Sequence, residues 1–485
     1  MITLGERLTI AQVAAVAAGA EVVLGEDARA RMTANHADFV AMGSPDVLEM
    51  KEAWLTGPRA GEASPWERLV AFVRGHCAGV GAPLPVPAVR AMLACRAQVL
   101  AHGLSGCRPE AAEQLVAMLQ AGVHPVVPSQ GSVGAAGDLA PLAHAARVAF
   151  RLGGQAVRDG RLLDSDAAME GLPEFRPEPK EALSVINGAT LTVALAALAC
   201  HQARGLLRTA EVGLAMSMEV VRANTGMVRF EVLQSRGHGG GVRVGRRLRE
   251  LLSESTLASV DRRPDAFSIR CAPAVLGSAW DALSHIEEVV ERELNGACDN
   301  PLVIARELVD GGNFHGAPVA LAMDHLKTAL TQVASIAERR IFRMTYGVLT
   351  GLPSFLVEST GLNSGFMLAQ YTAASLVSEC KGLSMPASVD AIPTGQHHED
   401  HVSMGPIAAR GALRICDALA EVLAIEILVA AQGLEFRMEE APLAPRVEAL
   451  RARVREVVPR WREDRVLHLD QQAVAAGVRA GRYED

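Results

Sequence analysis

An all-α fold built around a bundle of long helices is what this sequence predicts, and three observations carry the prediction. Hydrophobic residues make up 49% of the chain but aromatics only 4%, so alanine, leucine and valine fill the interior, which suits helices packed closely on one another. Three long stretches, 189–221, 316–345 and 405–436, repeat apolar residues at three- and four-residue spacings. No tandem repeat or low-complexity tract competes with them. At 485 residues the chain is long for one compact core and suits either two or three domains or one elongated helical body.

In chain order, residues 1–185 read as short helices and loops, with a Gly/Pro-rich piece at 55–65 and a polar, Pro-rich strip at 159–180 expected on the surface. Residues 186–440 hold the three long patterns, and 441–485 form a charged helical tail. The 405–436 stretch is broken by Arg410, Arg414, Asp417, Glu421 and Glu426, too much charge for a membrane span. Forty-seven basic against fifty-five acidic side chains give a net charge of −8 with no basic tract of the nucleic-acid-binding kind, so a small molecule or a protein is the expected partner. Eight cysteines without a CxxC pair suit reduced thiols, and the N-terminus lacks a signal-peptide layout, so a cytoplasmic location is expected.

The most informative segment is GSVGAAGDLAPLAH, Gly131 to His144. Gly131, Gly134 and Gly137 permit a tight, strained loop, and Asp138 can cap a helix that tolerates Pro141 in its first turn. A helix N-terminus facing a cleft favours an anion or developing negative charge. On glycines alone, a purely structural loop is the simpler reading.

The whole string resembles the GSVGASGDLAPLAH signature of the histidine ammonia-lyase family, which includes phenylalanine and tyrosine ammonia-lyases and aminomutases. The resemblance spans residues 3–436 and implies a fumarase-like central helix bundle, assembled as a homotetramer whose active sites draw on several subunits. It also implies a methylidene-imidazolone electrophile, made when an Ala-Ser-Gly triad cyclises. There the glycine nitrogen attacks the alanine carbonyl with loss of water, and the serine hydroxyl leaves as a second water to create the alkene. In this chain the triad positions are Ala135, Ala136 and Gly137. Alanine's β-carbon carries no leaving group, so the expectation is that this built-in cofactor does not form and that no other cofactor or metal replaces it.

Further site residues follow from the same resemblance. His76 matches a histidine that helps bind the substrate imidazole, and Asn187 one that contacts electrophile and substrate. Arg270 matches the arginine that grips the substrate carboxylate, a task suited to a forked guanidinium. Phe314 matches a residue near the electrophile, and Glu399 the glutamate of histidine-type sites, whose carboxylate can face an imidazole N–H. His397 and His401 have an i, i+4 spacing that invites a metal reading, but no third ligand is identifiable. Departures accompany these matches. The family's tyrosine-bearing loop falls at 52–59, where the chain has EAWLTGPR, with Glu52 and no tyrosine; near Arg270 the family's glutamine is Pro264 and its tyrosine is Phe267, which keeps a ring and loses the hydroxyl.

Three readings follow. The chain is a family member that has lost the conversion of L-histidine to urocanate and ammonia but kept a pocket for a histidine-like zwitterion. Alternatively it is a non-catalytic binding or assembly partner of an active lyase paralogue, or an active lyase carrying an engineered serine-to-alanine change. Four aligned departures, at Glu52, Ala136, Pro264 and Phe267, favour natural loss over a single engineered change.

Overall fold

The computed structural model describes residues 1–50, 63–260 and 265–484. It is mostly helical, as the composition predicts. The long patterns become helices Thr190–Val220, Ala317–Thr345 and Gly405–Arg437, within a residue of the expected ends. A fourth long helix, Ala272–Leu294, was not anticipated. Short strand pairs also appear, such as Val80–Pro83 antiparallel to Pro128–Gln130.

Two compact units form, one from 1–201, 287–324 and 386–410, the other from 202–286, 325–385 and 411–485. The three contiguous regions suggested by composition are therefore not the compact units. All four long helices begin in one unit and continue into the other, so each unit is assembled from interleaved segments.

In the first unit, helix Val86–Ala101 is buried on every face from Ala88 to Ala101 and packs against helices Ile10–Ala17 and Pro109–Gln120. A helix buried all round must place its polar side chains on partners. Arg90 does so by donating to Val16 O (2.7 Å) and Leu119 O (3.2 Å), carbonyls at the C-terminal ends of both neighbours. Helix Leu139–Ala149 packs on helices Pro65–His76 and Pro179–Ile186, which fixes the start of the glycine segment's own helix. The strip at 159–180, expected at the surface, is partly interior, because Lys180 is buried in an ion pair with Asp299 (3.1 Å).

In the second unit, fully buried Arg340 and Glu426 pair across two long helices, and Ser217 from a third donates to Glu426 Oε1 (3.0 Å). Breaking such a buried pair by removing one partner costs about 3–5 kcal/mol. Arg437 donates to Val220 O (2.8 Å), capping the end of helix Thr190–Val220. That helix is long and apolar enough to cross a membrane by composition, yet 72% of its most apolar window is buried inside the protein. The apolar side chains serve the core.

Candidate active site in the first unit

Strand Pro128–Gln130 leads into Gly131, and the chain reaches helix Leu139–Ala149 through seven residues held on three sides. On one side Met404 N donates to Val133 O (2.8 Å) and Ser403 Oγ to Gly134 O (3.0 Å). Ala135 buries its methyl against Val402 and Met404. Inside the loop, Ser132 Oγ accepts from Gly134 N (3.1 Å).

The third side is a backbone-to-backbone contact that only glycines allow. Gly137 and Gly188 form a parallel bridge, and Asp138 N donates to Gly188 O (2.9 Å). Gly137 has φ +75°, and a Cβ there would lie 2.2 Å from Gly188 C. The approach sets Asn187 beside the triad positions. Asn187 ends helix Pro179–Ile186, its Nδ2 donates to Asn300 O (2.7 Å), and its O accepts from Arg96. Asn187 Oδ1 is buried without a hydrogen-bond partner in the structure. An unpaired acceptor in the interior is costly and marks a place where a ligand donor would be welcome.

Asp138 occupies the N-cap position of helix Leu139–Ala149 but makes no side-chain bond to it, which corrects the expected capping role. Its carboxylate instead caps the long helix Thr190–Val220, accepting from Thr192 N (2.8 Å) and Thr192 Oγ1 (3.2 Å). Ser132 Oγ adds a bond of 3.1 Å, tying loop to helix. Burial pushes the Asp138 carboxyl up to about 6, against these bonds, which lower it. Under Asn187 and Gly188, Asp299 faces Lys180 and Arg96. Burial opposes its charge, but those two cations, with bonds from Ser184 and Ser105, outweigh it and hold the carboxyl below its ordinary value.

Phe314, half-buried, precedes Gly316, where a Cβ would lie 3.2 Å from Ala189 Cβ and from Ser403 Oγ, so its segment runs beside the loop's supports. Glu399 closes a turn in which Thr394 N donates to Glu399 O (2.9 Å) and Thr394 Oγ1 to Glu399 Oε2 (2.8 Å). The turn passes through Gln396 (φ +56°) and His397 (φ +69°), so the i, i+4 helical spacing of His397 and His401 does not occur. His401 instead sits against His315, with Nδ1 3.5 Å from Nε2. Among the described residues, no three His, Cys, Asp or Glu side chains gather in a way that could hold a metal. His76 ends helix Pro65–His76, its Nδ1 donating to Phe72 O (2.7 Å).

Thus the first unit brings Ala135, Ala136, Gly137 and Asn187 together, with the segments of Phe314 and Glu399 joined to the same supports. Arg270 and Phe267 belong to the second unit, in the short helix Phe267–Arg270. Phe267 is 73% exposed, and Arg270 lines a cavity of about 510 Å³ with Asn224, Arg236, His238 and Asp265. The loop counterpart at 52–59 and Pro264 lie outside the described residues. Sequence reasoning did not find Ser403 or the true partner of Asp138, because neither contact is local: the partners lie 269 and 54 residues away.

Long buried helices, with a glycine-kinked loop clamped between a helix N-terminus and a buried asparagine, define the ammonia-lyase class of all-α proteins. Residues 62–456 match the aromatic amino acid lyase family. The chain is 44% identical to a histidine ammonia-lyase of Anaeromyxobacter sp. (strain K), with 99% of this chain and 98% of that one covered. It is 43% identical to the histidine ammonia-lyase of Symbiobacterium thermophilum over 99% of this chain and 97% of that one. Among solved structures, histidine ammonia-lyase from Trypanosoma cruzi superposes with a TM-score of 0.90 at 36% identity, covering 99% of this chain and 94% of that one. Tyrosine aminomutase from Streptomyces globisporus gives 0.92 at 33%, covering 99% and 97%. This chain belongs to the aromatic amino acid lyase family, in its histidine ammonia-lyase group.

Proposed function

We propose that this chain binds a histidine-like amino acid and does not deaminate it. The observation that carries the reading is Ala136, a half-buried methyl at the one loop position where the family's cyclisation needs a hydroxyl to leave. The residues present do not fit the family's electrophile: Ala135 and Gly137 supply a carbonyl and an amide, but Ala136 supplies no leaving group. General acid–base groups give about 10²- to 10⁴-fold acceleration, far short of what expelling ammonia from an unactivated amino acid requires. The orphaned Asn187 Oδ1 and the exposed guanidinium of Arg270, which forms no ion pair among the described residues, support retained recognition of a zwitterion. Homotetrameric assembly is part of the proposal, supported by exposed apolar side chains such as Val348, Leu362 and Val389. The lack of any disulfide among the described cysteines fits a reducing cytoplasm.

The test is urocanate formation from L-histidine by this chain and by Ala136→Ser, purified in parallel, with calorimetry of histidine and urocanate on the unaltered protein. Expected are no turnover by the unaltered chain, turnover by the serine variant, and millimolar or tighter binding. Turnover by the unaltered chain overturns the loss of chemistry, and no binding at about 10 mM ligand overturns the retained pocket.

A further inference from the structure

Two histidines of the first unit have no part in the site above. His315, half-buried, follows Phe314, and the exposed His401 lies two residues beyond Glu399. His401 Nδ1 is 3.5 Å from His315 Nε2, while the ring centres are 5.5 Å apart and the ring planes 30° from parallel. The nitrogens are closer than the centres, so they lie on facing edges. His315 Nε2 is also 3.3 Å from His401 O. Both separations exceed roughly 3.2 Å, the usual limit for an N–H hydrogen bond, so such bonds account poorly for the pairing.

A shared metal ion accounts for it better. Two nitrogens that each lie ~2.1 Å from a tetrahedral ion stand about 3.4 Å apart, close to the 3.5 Å found. Both backbones are fixed without the ion. His315 N donates to Gly312 O (3.0 Å), and Gly316 O accepts from Ala320 N (2.9 Å) in the first turn of helix Ala317–Thr345. On the facing segment Thr394 N donates to Glu399 O (2.9 Å), and Met404 N to Val133 O (2.8 Å). Ligands held in advance lose little freedom on binding. Imidazoles suit zinc, nickel and copper, whereas magnesium and calcium call for oxygens. Among the described residues no third His, Cys, Asp or Glu side chain completes a ligand set, so water fills the other positions and affinity is modest.

We propose that His315 Nε2 and His401 Nδ1 bind one divalent transition-metal ion of the zinc, nickel or copper kind. The ion does not replace the family's electrophile; it ties the segment carrying Phe314 to the segment carrying Glu399. The site is independent of the amino-acid reading, and the failure of either leaves the other standing.

Calorimetry tests it on the full chain, freed of metal with a chelator, without an affinity tag, and in buffer lacking histidine and imidazole. Zinc and nickel are each expected to bind at one ion per chain with a Kd of about 10 µM, and magnesium not to bind at about 1 mM. His315→Gln and His401→Gln should each weaken zinc binding about tenfold or more, while His398→Gln, in the neighbouring turn, leaves it unchanged. Zinc should raise the thermal midpoint of the unaltered protein and not that of His401→Gln. Should His315→Gln fail to fold, electron paramagnetic resonance of the copper-loaded protein decides: two imidazole nitrogens in the unaltered chain and one in His401→Gln are expected. No zinc or nickel uptake at about 1 mM overturns the proposal, as does affinity unchanged by His401→Gln. Equal binding of magnesium overturns it too, and so do thiolate absorption bands in the cobalt-loaded protein, which would place the ion on cysteine.

Discussion

The glycine loop of the first unit and the Arg270 cavity of the second each hold residues that the family resemblance singles out, and they are built in opposite ways. Around the loop, bonds from Ser132, Ser403 and Met404 and the cap on Thr192 come from the same unit, and two glycines meet backbone to backbone. Around Arg270 the guanidinium is exposed and forms no ion pair among the described residues, with Phe267 turned largely to solvent. The first region is fixed by folding alone, whereas the second has polar capacity that folding leaves unused. The frame does not depend on the side chain at 136, because the bonds that hold it do not involve that side chain.

The sharpest way to break this contrast is to touch the glycine contact. Gly188→Ala would place its Cβ 2.6 Å from Cys298 O at a φ of +128°, and Gly137→Ala meets Gly188 backbone at 2.2 Å. Overpacking plus backbone strain should cost about 4 kcal/mol in either variant, read by urea denaturation. A loss under 1 kcal/mol would mean that the loop yields and is not held by its unit.

Asp138→Asn comes next. Because burial raises the carboxyl from 3.8 to about 6, the native state holds its proton more tightly than the unfolded chain. Stability from this group is thus fully present below about pH 4, falls by about 3 kcal/mol as pH rises to about 6, and is level above that. Asparagine has no proton to lose, so the slope between pH 4 and 6 should flatten. The variant should also be less stable by about 2 kcal/mol near pH 4, because its amide replaces one of the two oxygens shared by Thr192 and Ser132, and the gap should close and reverse by about 1 kcal/mol toward pH 7 as the unaltered protein loses its about 3 kcal/mol. A variant that keeps the wild-type slope would show that another group titrates.

The same two regions show what a sequence discloses. The three long helices were legible because apolar spacing is a local signal, and the loop because three glycines and a matching string fall within fourteen residues. Ala272–Leu294 escaped, and the i, i+4 spacing of His397 and His401, already set aside as a metal pair, has no helix behind it, because Gln396 and His397 are left-handed. Lys180 looked like surface because a polar strip surrounds it, while its partner Asp299 lies 119 residues on. Asp138 was read as capping the helix that follows it, when the amide it serves is Thr192 N. The Lys180 and Asp138 errors each concern a partner that local pattern does not name.

Ala136→Ser separates frame from chemistry. The position is half-buried and takes no part in the hydrogen bonds that hold the loop, so the substitution should change stability by less than about 1 kcal/mol while changing urocanate formation by orders of magnitude. A large stability change with no turnover would instead show that the loop has repacked around alanine.

Arg270→Gln should have the smallest effect on folding and tests the open half. With no ion pair to lose and an exposed side chain, its stability should stay within about 0.5 kcal/mol of the unaltered protein. Histidine affinity should drop about tenfold or more, because a carboxylate loses a charge-assisted, two-pronged contact. Asp265 supplies the alternative. It is the acidic residue lining the same cavity; its Oδ2 accepts from Asn224 N (2.7 Å), and burial raises its carboxyl against the lowering effects of that bond and of Arg343, so it is the side chain that would hold Arg270 in a purely structural pair. If that pair governs, the variant loses more than 1 kcal/mol, Asp265→Asn loses a similar amount, and the double variant loses no more than either one. That pattern would erase the contrast between the two regions, since both would then be completed by their own unit.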